Sequence, residues 1–193
     1  AIELIASRIR LMPPSMILER MKDEWVLSAD GRRAVVPRQK TLHNAIAWSY
    51  HLLSAEEQLV FATLGAFTSS FSQASATAVC AGCCESEFVE DRLASLFDKS
   101  LLQQAPELFG EIRFIMLGTI QRFALHLLRQ KDTEREARDR HLAYFLAMAE
   151  LGDVELRGPD QVEWAQRLEQ EHDHFRAALE WCVLTQQTES ALR

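Results

Sequence analysis

The sequence predicts a mostly α-helical chain with one small β-hairpin, and three observations carry that expectation. Glycine (7) and proline (5) are scarce among 193 residues, while Ala, Leu, Glu, Gln and Arg abound. Apolar residues recur at three and four positions through most of the chain, the spacing of one buried helix face. Only residues 101–116 break that period and alternate instead.

The elements follow in order. Ile2, Leu4, Ile5 and Ile9 begin a helical stripe at the first residue, which predicts a region upstream of Ala1. Pro13 and Pro14 end that helix and open a second, running to about Trp25. Residues 28–39, with Asp30-Gly31 and Pro37 and no apolar period, read as a loop. From Thr41 a core helix carries Leu42, Ala45, Ile46, Tyr50 and Leu53. Ser54-Ala55-Glu56-Glu57 is a capping box that starts the next helix, with Leu59, Val60, Thr63, Leu64 and Phe67 as its inner face. Ser72 caps a short helix ending near Gly82, and another begins about Ser86 with Val89, Leu93, Leu96 and Phe97 inward.

Leu101 to Gln104 then reads as extended, Ala105 to Gly110 as a turn, and Ile112, Phe114 and Met116 alternate with Arg113 and Ile115 as a strand does. Ile120, Phe123, Ala124, Leu127 and Leu128 return to helix. Helices followed by a two-stranded wing and another helix describe a winged-helix unit over residues 37–130. Residues 1–36 are then the end of a helical subdomain and its linker. Beyond 130, Thr133 and Glu136 suggest a second capping box, and Gly158-Pro159 separates two helical stretches. Residues 131–193 thus read as the start of an antiparallel helical repeat array, because a helix pair cannot bury its outer face alone.

Several function classes are disfavoured. The formal charge of −7 repels phosphate backbones unless a local basic patch intervenes. The segment Glu85 to Ser100, in the place of a recognition helix, carries Glu85, Glu87, Glu90, Asp91 and Asp98 against Arg92 and Lys99, so direct DNA contact is not expected there. No apolar run long enough to span a membrane and no signal-peptide pattern occur, which points to the cytoplasm. Cys80, Cys83 and Cys84 have zinc-like spacing but lack a matching second pair, so reduced structural thiols are expected and no metal site is assigned. His172-Asp173-His174 reads as a solvated polar face, and His141 as a satisfied core histidine. With no GxxxxGK[ST], GxGxxG, GxSxG or HExxH motif, no catalytic residue is assigned and the chain is expected not to be an enzyme.

The runs Pro37-Arg38-Gln39-Lys40-Thr41-Leu42, Ala45-Ile46-Ala47-Trp48-Ser49-Tyr50 and Leu53-Ser54-Ala55-Glu56-Glu57-Gln58 resemble bacterial regulators built on a STAND or NB-ARC-like signal-transduction ATPase, of the LuxR or antibiotic-regulatory type. Leu96 to Leu101, Thr119 to Ala124, Leu156 to Asp160 and Glu171 to Leu179 extend the resemblance over nearly the whole chain. It implies a P-loop domain upstream, then a helical subdomain, a winged-helix domain and tetratricopeptide-like repeats. ATP or ADP and magnesium would belong to that upstream domain, with no cofactor held by this chain. In relatives a Met-His-Asp-like motif senses the nucleotide; the matching positions are Met116, Leu117 and Gly118, and neither Leu117 nor Gly118 has the chemistry for it. The resemblance implies a non-catalytic switch whose partners are the upstream nucleotide-binding domain and a protein or effector on the repeats. Arg38, Gln39, Trp48 and Phe109 are the candidate interdomain contacts. A DNA-binding winged helix and a protein-binding helical scaffold are the alternatives.

Overall fold

The computed structural model describes residues 37–130 and 133–187. The expected helices over 1–25 and the linker before Pro37 lie outside the described residues. Eight helices and one three-stranded antiparallel sheet make up the described part.

Helix α1 (Pro37–His51) starts earlier than its apolar stripe suggests, with Pro37 at the first helical position, where its missing N–H costs nothing. Helix α2 (Ala55–Leu64) opens on the expected capping box. The Ser54 amide donates to Glu57 Oε2 at 2.7 Å, and the Glu57 amide donates to Ser54 Oγ at 3.2 Å. Gly65 ends α2 against a later helix, and any Cβ there would lie 2.5 Å from the Leu125 amide nitrogen.

Strand β1 (Phe71–Ser72) is two residues long, and Ser72 both closes it and caps helix α3 (Gln73–Cys80), accepting from the Ser75 amide at 3.1 Å. Helix α4 (Ser86–Asp98) buries Val89, Leu93 and Leu96. Strands β2 (Gln103–Leu108) and β3 (Glu111–Ile115) follow, in the sheet order β1-β3-β2.

This sheet departs from the sequence reading in three ways. Pairing of Phe71 with Phe114 and Ser72 with Arg113 adds a third strand to the hairpin. The turn is two residues, not six: β2 runs through Pro106, where the register shifts between Ala105 and Leu108, because a residue without an N–H fits a bulge. Phe109 (φ 53°) and Gly110 (φ 73°) both take the left-handed conformation that matches a tight hairpin to strand twist. Finally, the faces of β3 are not as the alternation implied. Arg113 is buried and Ile112 is half exposed, since later helices cover the side that carries Arg113.

Helix α5 (Gly118–Gln130) returns across α2, burying Ile120, Ala124 and Leu128. Helix α6 (Glu134–Glu155) buries Ala137, His141 and Phe145 at four-residue steps. The second capping box is absent, as the Thr133 side chain makes no cap bond; Glu134 instead accepts from Arg138 at 2.9 Å. Helices α7 (Gln161–Gln170) and α8 (His172–Thr185) fold back along α6. The main core joins Ile46, Phe61, Phe67, Phe71, Leu93 and Ile120 to Phe145 of α6, so the hydrophobic centre of the winged helix continues into the downstream helices. No helix among the described residues is long and apolar enough to cross a membrane.

Candidate functional site

Helix α4 and the β2–β3 wing form the surface on which a winged helix meets a partner. The outward side of α4 carries Glu87, Glu90, Asp91 and Asp98, with Phe88 and Phe97 each 43% exposed. Its two cations turn away from solvent toward α2: Arg92 pairs with Glu56, and Lys99 with Glu57. Glu57 also accepts from the Ser95 hydroxyl. Burial alone would raise the Glu57 pKa, but Lys99, Ser95 and the Ser54 amide outweigh it and hold the carboxylate down to about 2. Glu57 therefore joins the start of α2 to the end of α4, and it consumes the charge of Lys99.

The wing is likewise engaged within the chain. Phe109 lies under the Arg167 guanidinium of α7, 5.1 Å from centroid to cation, and Arg167 Nη1 reaches Glu111 at 3.3 Å. Of the residues expected to make interdomain contacts, Phe109 thus meets α7, Trp48 is buried on α1, and Arg38 and Gln39 stand in the first turn of α1. Leu117 is 46% exposed, and Gly118 opens α5 with nothing within 4 Å of where a Cβ would sit.

A buried polar junction ties the sheet to α6, α7 and α8. Arg113 on β3 donates from Nη2 to the Ser70 carbonyl at 2.7 Å and pairs through Nη1 with Glu171 at 2.6 Å. Burial pushes the Glu171 carboxyl up, opposed by Arg113, and its Oε2 is buried with no hydrogen-bond partner. Gln170 donates to Ser70 Oγ at 3.2 Å. His174, fully buried, places Nε2 3.1 Å from the Ser70 carbonyl and Nδ1 3.3 Å from Nε2 of His141. A carbonyl can only accept, so the network assigns the His174 proton to Nε2 and leaves Nδ1 to accept from His141. Burial lowers His141 to about 3, helped by the neighbouring His174 ring and Arg138, and lowers His174 to about 4 against the opposing bond to the Ser70 carbonyl. Both rings are neutral and packed on Phe145, with the His174 ring stacked at 4.7 Å.

The polar-face reading of His172-Asp173-His174 holds for the first two and fails for His174, which points inward at the start of α8. Arg113 and Glu171 gave no sequence signal beyond their charge, because their partners are far away along the chain. His141 is the buried histidine its apolar face suggested. Cys80 and Cys182 are buried and Cys83 and Cys84 half-buried, all as free thiols. Among the described residues no group of three or more His, Cys, Asp and Glu side chains could hold a metal ion.

The order α2, β1, α3, α4, β2, β3, with a three-stranded sheet and α4 in the recognition position, is that of a winged helix. The family model of the winged helix-turn-helix domain matches residues 53–129, the stretch from the end of α1 through α5. Over 185 residues the chain is 38% identical to proteins of Mycobacterium bovis and of two strains of Mycobacterium tuberculosis, each named, provisionally, an HTH-type transcriptional regulator. The match covers 94% of this chain and 20% of each relative, so the chain spans about a fifth of their length. No solved structure gives a significant match.

Proposed function

We propose that this chain is the non-catalytic switch portion of a transcriptional regulator, working by contact with other parts of the regulator and with protein partners. One observation carries the reading: α4, where a DNA-reading winged helix needs free cations, has its Arg92 and Lys99 tied to Glu56 and Glu57 and shows four carboxylates outward. Phe88 and Phe97 amid those carboxylates suit a protein surface better than a phosphate backbone. The junction at Arg113, Glu171 and His174 would then make the sheet and the downstream helices one body, so that an effector on α7 and α8 repositions α4 and the wing together.

If the resemblance to signal-transduction ATPases holds, ATP or ADP and magnesium would belong to a nucleotide-binding domain outside this chain. The residues of this chain do not fit a nucleotide sensor, since Leu117 offers no donor and Gly118 no side chain, and no step is assigned to nucleotide here. The exposed Val162, Leu179, Val183 and Leu184 suit a further helix pair stacked on α7 and α8, as in a repeat array.

A second reading, DNA binding by α4, is favoured by the helix-turn-helix family match and by the names of the mycobacterial relatives. Fluorescence anisotropy with duplexes in low salt separates the two. Weak, sequence-independent binding is the expected result. Sequence-dependent affinity below about 1 μM that is lost on substituting α4 or the wing would establish the second reading instead.

A further inference from the structure

We propose that Cys80 and Cys83 form a redox-sensitive dithiol, in which Cys83 is oxidised by a hydroperoxide and Cys80 resolves the product as a disulfide. Cys80 ends α3, and the two-residue turn after it brings Cys83 back: the Cys83 amide donates to the Cys80 carbonyl at 2.9 Å, and the Cys83 thiol donates to the same oxygen at 3.1 Å. A turn closed in this way holds its end Cα atoms within about 7 Å, and disulfides span about 4.4–6.8 Å. The turn therefore holds the two Cα atoms close to the range that a bridge requires.

Three groups from separate elements surround the Cys83 sulfur. Thr63 of α2 donates its hydroxyl to it at 3.7 Å. Arg140 of α6 donates Nε to the Val79 carbonyl at 2.8 Å, and its guanidinium lies so close to the turn that a Cβ at Gly82 would be 2.2 Å from Nη1. A side chain at position 82 would make the Arg140 guanidinium shift from this place against the turn. The Cys80 thiol is the strongest of the stabilising contacts. Together they overcome burial and bring Cys83 down to about 6, while Cys80 is raised well above an ordinary thiol and Cys84 is pushed up to about 11, chiefly by burial. The roles separate accordingly: Cys83, half-buried yet reachable by a small oxidant, gives up its thiol proton more readily to become the attacking thiolate, and Cys80 keeps its proton.

The chemistry balances with the hydroperoxide as oxidant. The Cys83 thiolate attacks one peroxide oxygen, the O–O bond breaks, and hydroxide or alkoxide leaves, giving a sulfenic acid. The Cys80 sulfur then attacks the Cys83 sulfur, an S–S bond replaces S–O, and the Cys80 proton departs with the hydroxyl as water. Two thiols lose two electrons and the peroxide gains them. Oxidation removes the negative charge facing Arg140, and with it one of the contacts that hold α3 to α6.

The test is hydrogen peroxide on the whole chain, followed by thiol titration and mass-spectrometric mapping. Expected are loss of two of four thiols, a Cys80–Cys83 bond reversed by dithiothreitol, and a rate about ten-fold lower at pH 5 than at pH 7, as Cys83 gains its proton. In Cys80→Ser, dimedone should trap a sulfenic acid on Cys83. Oxidation no faster than that of glutathione, first reaction at Cys84 or Cys182, or a rate independent of pH between 5 and 7 overturns the proposal, and these readings on the unmodified chain need no variant to fold.

Discussion

Replacing Arg113 by methionine leaves the Glu171 carboxylate buried without its cation and takes one donor from the Ser70 carbonyl. Both side chains are nearly inaccessible, at 2% and 6% exposure, so water cannot stand in for the lost partner. Breaking a buried pair of this kind costs about 3–5 kcal/mol, because one charge stays desolvated and uncompensated. Glu171→Leu should cost a similar amount, since it strands the guanidinium instead. The double variant Arg113→Met, Glu171→Leu removes both charges, and Ser70 keeps its bond from His174, so its loss should fall well below the sum of the singles, with a coupling of about 3 kcal/mol or more. Urea unfolding at pH 7 followed by far-ultraviolet circular dichroism measures all four corners of the cycle. The Arg113→Met deficit should also shrink as pH falls, because the raised Glu171 pKa lets that carboxyl take up a proton. Additive single effects, or an Arg113→Met loss under about 1 kcal/mol, would refute the claim that this pair fastens sheet to helices.

Three further outcomes are open to measurement. Glu57→Gln should lower stability by roughly 2 kcal/mol at pH 7, a figure discounted for the water that reaches the Lys99 end; with its pKa held near 2, Glu57 stabilises fully above about pH 4.5 and loses that contribution as pH falls toward 2, so the variant and the natural chain should converge there. His141 and His174, with folded pKa values near 3 and 4 against 6.5 unfolded, stabilise as neutral rings; stability should be full above about pH 6.5 and fall by up to about 4 kcal/mol by pH 5, and a flat profile between 7 and 5 in chemical denaturation would contradict their burial. Gly65→Ala drives a methyl into backbone atoms of Leu125 and Ala124 at 2.5 and 2.7 Å, so thermal unfolding should show a loss of about 3 kcal/mol, with little recovery from side-chain repacking.

Local chemistry was readable in the chain wherever the partners lie within a few residues. The Ser54–Glu57 box, the Ser72 cap and the α4 stripe of Val89, Leu93 and Leu96 all involve neighbours three or four apart and stand as their spacing implied. Phe97, expected on the same inner face, is instead 43% exposed, because it follows Leu96 directly and so points about a quarter turn away. The Thr133 box failed although its pattern is as good, because Glu134 and Glu136 turn to Arg138 and Arg140 on their own helix. Strand β1 was missed because two residues carry no period, and Phe71 with Ser72 becomes a strand only once β3 arrives from 41 or more residues away. The junction was illegible for the same reason: Arg113 looks outward in an alternating strand until α7 and α8 cover that face, and His174 looks solvated until Ser69 and Ser70 meet it.

The distribution of charge argues for a winged helix whose connections run inward and sideways. Among the described residues, the cations on or beside α4 and the wing are each paired: Arg92 with Glu56, Lys99 with Glu57, Arg113 with Glu171, Arg167 with Glu111 and Glu163. These pairs link α4 to α2, β3 to the residue before α8, and the wing to α7, with the buried Arg113–Glu171 pair the strongest of the links. A DNA reader would keep such cations free for phosphates, whose attraction is long-ranged and salt-dependent. Here freeing Arg92 or Lys99 for that purpose would first strand Glu56 or the buried Glu57, and the second of those costs the cap of α2 as well. Under the proposed switch reading, the surfaces that leave these pairs intact, above all the carboxylates and phenyl rings of α4, are the ones through which movement of this body would be read out.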